Sequence, residues 1–301
     1  MSLQLDWWAG LNHGGLLIAP NKVQEYFRQD LDPLPYGKAE KLRREITRFD
    51  GTSESLSPLL DFLLEDLCHL PAAEWQKAQH IDSKWTLSSF TKEQIKPRRI
   101  WVGPNGETLS VFVPQAGSSK TIGNRLGVGK SRKLLSRVLE WLRRQQQPLA
   151  LITNGRQLRL VHAGQDYDAW CEWDIDLWFA EGAPSAQVTA WRQLLDRSVL
   201  LTSGKEAPGT LLSAILDSRK GQAELSSVLG ERVRLAVEEL ITASHSSIES
   251  AREQGVQFDY RDLYMAGTRI IMRCIIALFA EARGLLPVDN RIYQHSYSID
   301  G

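Results

Sequence analysis

The chain has 301 residues, 43% hydrophobic and 24% charged, which excludes a disordered or fibrous protein and leaves room for two or three small domains or one large one. Lys+Arg and Asp+Glu are both 36, so net charge selects no class of partner. Three widely separated cysteines, Cys68, Cys171 and Cys274, exclude a zinc spacing and a disulfide framework and predict reduced thiols.

The N-terminus, MSLQLDWWAGLNHGG, lacks the basic n-region and continuous apolar core of a signal peptide. Helices are predicted over KVQEYFRQDL, KAEKLRREITRF and SLSPLLDFLLEDLCHL, where apolar residues recur three and four apart. In the last, Ser57 is placed to cap, Pro58 stands at the first helical position, and Pro71 ends the helix. From about 72 to 182 the pattern changes. RRIWVGPNGETLSVFVP predicts a hairpin about Pro-Asn-Gly, followed by a glycine loop and a helix over 131–147. PLALITNGRQLRLVHAG predicts a second hairpin at Asn154-Gly155, and the acidic aromatic run WCEWDIDLWF follows. Strand, strand, helix, strand, strand makes a small mixed α/β domain. After 183 helices are predicted at 187–202, 209–217, 223–254 and 259–283, the last stopping at Gly284 with Pro287 beyond. The division expected is therefore 1–71 helical, 72–182 mixed α/β and 183–301 helical: an α/β domain flanked by all-α regions. The tail LPVDNRIYQHSYSIDG has no closing element, so a longer protein is expected. The most apolar segment, IIMRCIIALFA, holds Arg273 and is too short to span a bilayer, so a cytoplasmic protein with no membrane contact is expected.

Three motifs come close to known chemistry. GVGKS at 127–131 ends in Lys-Ser before a helix, as a phosphate loop does, but that loop needs glycine at 124, where Asn124 stands. It also needs a strand running directly into it and a later strand ending in an acid for magnesium, and neither is present. DPLPY (32–36) approximates the Asp/Asn-Pro-Pro-Tyr/Phe loop of amino-methylating DNA methyltransferases, but Leu34 separates the prolines and the preceding residues read as helix. Asp82-Ser83-Lys84 offers the carboxylate and lysine of half a metal-dependent nuclease site, which needs a further acid and a strand to carry it. Asp61 and Asp66 are the nearest acids, both on a predicted helix.

The charge distribution is more informative. Between 118 and 163 stand Lys120, Arg125, Lys130, Arg132, Lys133, Arg137, Arg143, Arg144, Arg156 and Arg159, with Glu140 as the only acid. On the helix after Ser131, Leu134, Leu135, Val138, Leu139 and Leu142 share one face, while Lys133, Arg137 and Arg144 share another. Cations beside a helix N-terminus can grip a nucleic-acid backbone without reading bases. The candidate phosphate contacts are Lys120, Arg125, Lys130, Arg132, Lys133, Arg137 and Arg144. The alternative is that the stripe meets the acidic run 166–181, with Asp166, Asp168, Glu172, Asp174, Asp176 and Glu181. The six histidines are scattered, so packing or surface roles are expected and no metal ligand set or catalytic residue is assigned. Trp170, Trp173 and Trp178 suit base stacking or a sealed core.

Four stretches in order, LNHGGLLI, PLALITNGRQLRLVHAG with CEWDIDLWF, IIMRCIIALFAEARGLLP and VDNRIYQHSYSIDG, resemble the N-terminal region of type IIG-like restriction–modification proteins and their relatives in anti-phage systems. In these an adenine-specific DNA methyltransferase domain follows. The resemblance implies that the α/β part is nuclease-like and that the helical part is a connector. It also implies a methylase domain beyond residue 301 that binds S-adenosylmethionine, with no cofactor in the present segment. Some members carry a strand ending in Glu-x-Lys where this chain has LSVFVPQAG; Pro114, Gln115 and Ala116 supply neither group, so a degenerate nuclease fold is implied. The expected function is a DNA-contacting scaffold for duplex DNA. The alternatives are a module docking another subunit of a defence complex, or a magnesium nuclease using Asp82 and Lys84.

Overall fold

The helical periodicity of the first seventy residues is realised in α1 (Asp6–Ala9), α2 (Pro20–Tyr26), α3 (Tyr36–Arg48) and α4 (Ser53–Asp61), with a short strand β1 (Asn12–Gly14) after α1. The computed structural model describes residues 6–27, 31–89, 93–114, 126, 132–202, 208–282, 285–287 and 290–298. Helix α4 starts earlier than expected. Thr52, not Ser57, is its cap, accepting from the Ser55 N–H at 3.2 Å, and Pro58 lies inside the helix. Proline has no N–H to return to the preceding turn, and the helix changes directly afterwards into a π-helical turn, Phe62–Asp66.

Next come β2 (Trp75–Lys77), the small pair β3 (Leu87–Ser88) and β4 (Gln94–Ile95), β5 (Arg99–Val102), β6 (Thr108–Phe112), α5 (Arg132–Gln145), β7 (Leu149–Thr153), β8 (Gln157–Ala163) and β9 (Asp168–Asp174). The protein is mixed α/β, with a seven-stranded sheet in the order β1-β9-β8-β7-β6-β5-β2. Every pairing in it is antiparallel except β6 with β7, which are parallel and joined through α5. Both expected hairpins form. Their turns use Gly106 at φ +91° and Gly155 at φ +84°, backbone that glycine adopts without strain. Strands β1 to β4 were not foreseen: at two or three residues each, they are too short to show a period.

Helices cover both faces of the sheet, so β6 and β7 are buried throughout. Alternate residues face opposite cores. Ile100, Phe112, Ala150, Ile152 and Val161 meet Val138, Trp141 and Leu142 of α5. Trp101, Leu109, Val111, Leu151 and Trp173 face a larger cluster built with the N-terminal helices, α6 (Ala186–Leu195) and α7 (Arg197–Leu200). That cluster runs from Trp8 through Leu42 and Leu60 to Trp191 and Ile215. The larger cluster therefore crosses the expected boundaries at 71/72 and 182/183, whereas the cluster under α5 lies within 72–182. The chain divides instead into residues 1–220 and 221–301.

Helix α8 (Thr210–Ala243) begins in the first unit, where Leu211, Ala214 and Ile215 are buried. It passes without a break through the gap expected at 218–222, because one glycine, Gly221, weakens a helix by only about 1 kcal/mol. The second unit holds the remainder of α8 with α9 (His245–Glu253), α10 (Tyr260–Ala282) and α11 (Arg291–Ser296). Gly267 of α10 lies against α8: a Cβ there would stand 3.1 Å from Val237 and 3.8 Å from Leu240. Helix α11 lies in the tail where no closing element was expected, and Asn290 caps it through the Ile292 and Tyr293 N–H groups. Helix α10 also corrects the length argument. Its 23 residues, with a window of mean hydropathy 1.6, make it the one helix among the described residues long and apolar enough to cross a membrane. Arg269 and Arg273 stand within it.

Candidate nucleic-acid interface

Helix α5 places the expected apolar face inward: Val138 and Leu142 are buried, Leu134, Leu135 and Leu139 pack against the same cluster, and Trp141, not among the residues expected on that face, is buried with them. On the other side Lys133 is exposed and has no ion pair among the described residues. Arg137 forms an ion pair with Glu93. Arg144 donates to Glu140 at 3.0 Å and to the Ser88 carbonyl at 2.8 Å. Lys120, Arg125 and Lys130 lie outside the described residues, as do the Arg132 side chain and the glycine stretch 127–131.

The rest of the stripe meets the acidic run. Arg143 donates to the carbonyls of Gly164 and Tyr167 and lies 3.9 Å from Asp168. Arg156 pairs with Asp176 at 2.6 Å, and Arg159 with Glu172 at 2.6 Å. Antiparallel register accounts for the last pair, since Arg159 of β8 stands opposite Glu172 of β9. Arg159 and Glu172 are buried, and the guanidinium lies 3.9 Å from the centre of the Trp170 ring. This arginine is structural.

Asp82 and Lys84 belong to one short helical turn, Ser83–Trp85. Asp82 caps it by accepting from the Lys84 N–H at 3.0 Å, and the Lys84 ammonium lies 3.6 Å from the same carboxylate. Asp61 is engaged elsewhere, and Asp66 pairs with Lys41. Among the described residues no three His, Cys, Asp or Glu side chains come together in a way that could hold a metal ion.

A second group of cations lies where the sequence drew no attention. The pocket between α4 and the β2–β5 edge has a volume of about 320 Å³ and is lined by Ser57, Asp61, Lys77, Lys96, Arg98 and Arg99 with Pro97. Asp61 is shared between Lys77 at 2.9 Å and Arg99 at 2.7 Å. Burial raises its pKa, but these cations outweigh burial and hold it below the usual carboxylate range. Lys77 also reaches Glu65 at 2.6 Å. Arg98 differs. It donates to the Ser53 hydroxyl at 2.6 Å, the Ser53 carbonyl at 2.9 Å and the Ser57 hydroxyl at 2.9 Å, all neutral acceptors. Burial, then the neighbouring Arg99 charge, lowers its pKa from the ordinary arginine value. Lys96 is exposed and makes no ion pair among the described residues. The sequence signal available for this group was the dibasic step in KPRRIWV, where two arginines open a buried strand.

Two of the histidines and the three tryptophans of the acidic run are engaged within the fold. His162 is buried between the Pro148 carbonyl and the Tyr167 hydroxyl, and burial lowers its pKa. His69 meets Asp196 at 2.6 Å. Trp173 and Trp178 are buried against Trp191 and have no face open to a base. Trp170 lies under Arg159.

No family model matches the chain, and no curated protein or solved structure matches it.

Proposed function

We propose that the chain is the N-terminal DNA-contacting and scaffold region of an adenine-specific DNA methyltransferase from a restriction–modification or anti-phage system, acting in the cytoplasm on duplex DNA. In this reading the α/β part is a nuclease-like fold that holds DNA without cutting it, and S-adenosylmethionine belongs to the methylase domain. The supporting observation is the surroundings of the β6 end, the strand that carries Glu-x-Lys in some members of the resembling family. Here it ends in Val111 and Phe112 and runs into Val113 and Pro114, and its neighbours are Arg98, whose N–H donates to the Val111 carbonyl at 2.7 Å, and Arg99, paired in register with Val111. Cations stand beside a strand end that carries no carboxylate, an environment suited to phosphate oxygens. Helix α5 adds Lys133, Arg137 and Arg144.

The test is duplex binding by the full chain over a range of salt. Replacing Lys133 and Arg137 with glutamate is expected to weaken binding equally for all sequences and to reduce the log–log salt slope by about 2. An unchanged affinity and slope would remove these residues from the interface. Incubation of plasmid with Mg²⁺ is expected to give no cleavage. Cleavage lost in Asp82→Ala would restore the nuclease reading.

A second reading, a module that docks another subunit, is favoured by the second unit. Met265, Met272 and Ile276 of α10 are 45%, 40% and 63% exposed and follow helical spacing along one side. Absence of duplex binding at low salt would favour it.

A further inference from the structure

The pocket at the β5 edge holds Lys77, Lys96, Arg98 and Arg99 against the carboxylates of Asp61 and Glu65, so two positive charges are left in excess. The excess is localised. Asp61 and Glu65 are taken up by Lys77 and Arg99, whereas Arg98 has hydroxyl and carbonyl partners only and Lys96 has none among the described residues. A half-buried guanidinium beside a second guanidinium is unfavourable unless an anion completes the group. A guanidinium, an ammonium and the Ser57 hydroxyl are also the donors that an oxyanion with several acceptor oxygens requires. The volume of about 320 Å³ is at the small end of ligand sites, with room for one phosphate and its ester substituent.

We propose that this pocket is a phosphate-binding site in which Arg98, Lys96 and Ser57 hold the oxygens, Arg98 and Lys96 carrying the two excess charges while Arg99 and Lys77 stay paired with Asp61 and Glu65. The two excess charges match a dianionic terminal phosphate better than a singly charged phosphodiester. On the reading of the chain as a DNA-contacting region the source is a 5′-phosphorylated strand end; the pocket itself does not depend on that reading.

The experiment has two arms. In the first, inorganic phosphate is titrated into the full chain by calorimetry at constant ionic strength, beside the Lys96→Gln and Arg98→Gln variants. Saturable binding is expected, weakened about tenfold or more in each variant, since each removes a charge-assisted hydrogen bond. Lys96→Gln is the cleaner variant because its side chain is exposed and makes no ion pair among the described residues, so a folding defect in Arg98→Gln leaves the proposal testable. No saturable binding, or binding unchanged in Lys96→Gln, overturns the site. In the second arm, duplexes with 5′-phosphate and 5′-hydroxyl ends are compared. Preference for the phosphorylated end, lost in Lys96→Gln, assigns the ligand to DNA termini. Phosphate binding without such preference keeps the site and assigns it to a free phosphate or nucleotide. Phosphate binding with no duplex binding of either kind keeps the site and overturns the DNA-contacting reading.

Discussion

The Arg159–Glu172 pair offers the sharpest test of how the basic stripe is used. Arg159 donates from Nε to Glu172 at 2.8 Å and approaches the same carboxylate through Nη2 at 2.6 Å, while Gln157 donates to the other oxygen at 3.0 Å. Side-chain exposure is 9% for Arg159 and 5% for Glu172, so neither charge can be rescued by water. Arg159→Met keeps much of the aliphatic volume and leaves a buried carboxylate with one neutral donor, Gln157, among the described residues. Breaking a buried pair in this way costs about 3–5 kcal/mol, or a fall in Tm of roughly 6–20 °C for a unit of this size. All ten tryptophans lie in residues 1–220, so fluorescence during urea unfolding reports that unit alone. The comparison is Arg156→Met, whose pair with Asp176 is 48% and 54% exposed and whose loss should cost less than about 1 kcal/mol. The double variant Arg159→Met/Glu172→Leu should recover most of the loss, because no charge is then left stranded. If Arg159→Met costs no more than Arg156→Met, the pair is solvated and the separation of structural from surface arginines fails.

Two glycines should respond in opposite directions. Gly155→Ala forces a side chain into φ +84° and places its Cβ 2.1 Å from Phe49, so a loss of about 2 kcal/mol or more is expected in urea unfolding. Gly221→Ala lies inside α8 with open space around it and should add about 0.5–1 kcal/mol of helix stability, read by circular dichroism during thermal unfolding. Burial raises the Glu107 pKa, but the Thr202 N–H and hydroxyl and the Asn105 N–H outweigh it and bring it to about 2 from an ordinary 4.5. A folded value below the unfolded one gives stability that is present above pH 4.5 and lost as pH falls through 2. Urea midpoints measured between those limits should fall for the wild type and fall less for Glu107→Gln.

The strong periodicities were legible. The two hairpins follow from Pro104-Asn105-Gly106 and Asn154-Gly155 between alternating or continuous apolar runs, and α5 from the spacing of Leu134, Leu135, Val138, Leu139 and Leu142. The short strands were not: β1 is Asn-His-Gly, and it is a strand only because β9 presents a free edge to it. The cap of α4 was misplaced because Ser57-Pro58 carries the usual start signal, whereas Asp50, Thr52 and Ser55 form a tighter hydrogen-bonded start upstream. The charged sites divide in the same way. Excess charge along residues 118–163 and a facing acidic run at 166–181 are both visible as composition, but which arginine meets which acid is not, because Arg159 meets Glu172 and Arg143 meets Asp168 through sheet register and a loop. The β5 pocket was hidden for the converse reason. Its cations come from Lys77 and from Lys96–Arg99, separated in sequence and joined only when β2 pairs with β5.

The sign of the field at the β6 end bears on which chemistry it can support. A divalent ion about 5 Å from one guanidinium, at an effective dielectric of 20, meets a repulsion on the order of 7 kcal/mol. Arg98 and Arg99 both adjoin this strand end, and the nearest acid of the pocket, Asp61, is already bound to Lys77 and Arg99. An approaching phosphate reverses each of these terms: it is attracted by the same guanidinium groups and completes the hydrogen bonding of Arg98. The two cationic surfaces should then differ in their response to salt. On α5 a phosphate that meets Arg137 or Arg144 displaces Glu93 or Glu140, exchanges between partly exposed pairs that cost little and screen readily. In the pocket no described carboxylate has to be displaced from Arg98 or Lys96, and the half-buried contact is screened less. Binding through α5 alone would disappear steeply as salt rises, whereas a pocket-bound phosphate would persist to higher salt. A single steep salt dependence, unchanged by Lys96→Gln, would show that the pocket takes no part in holding the ligand.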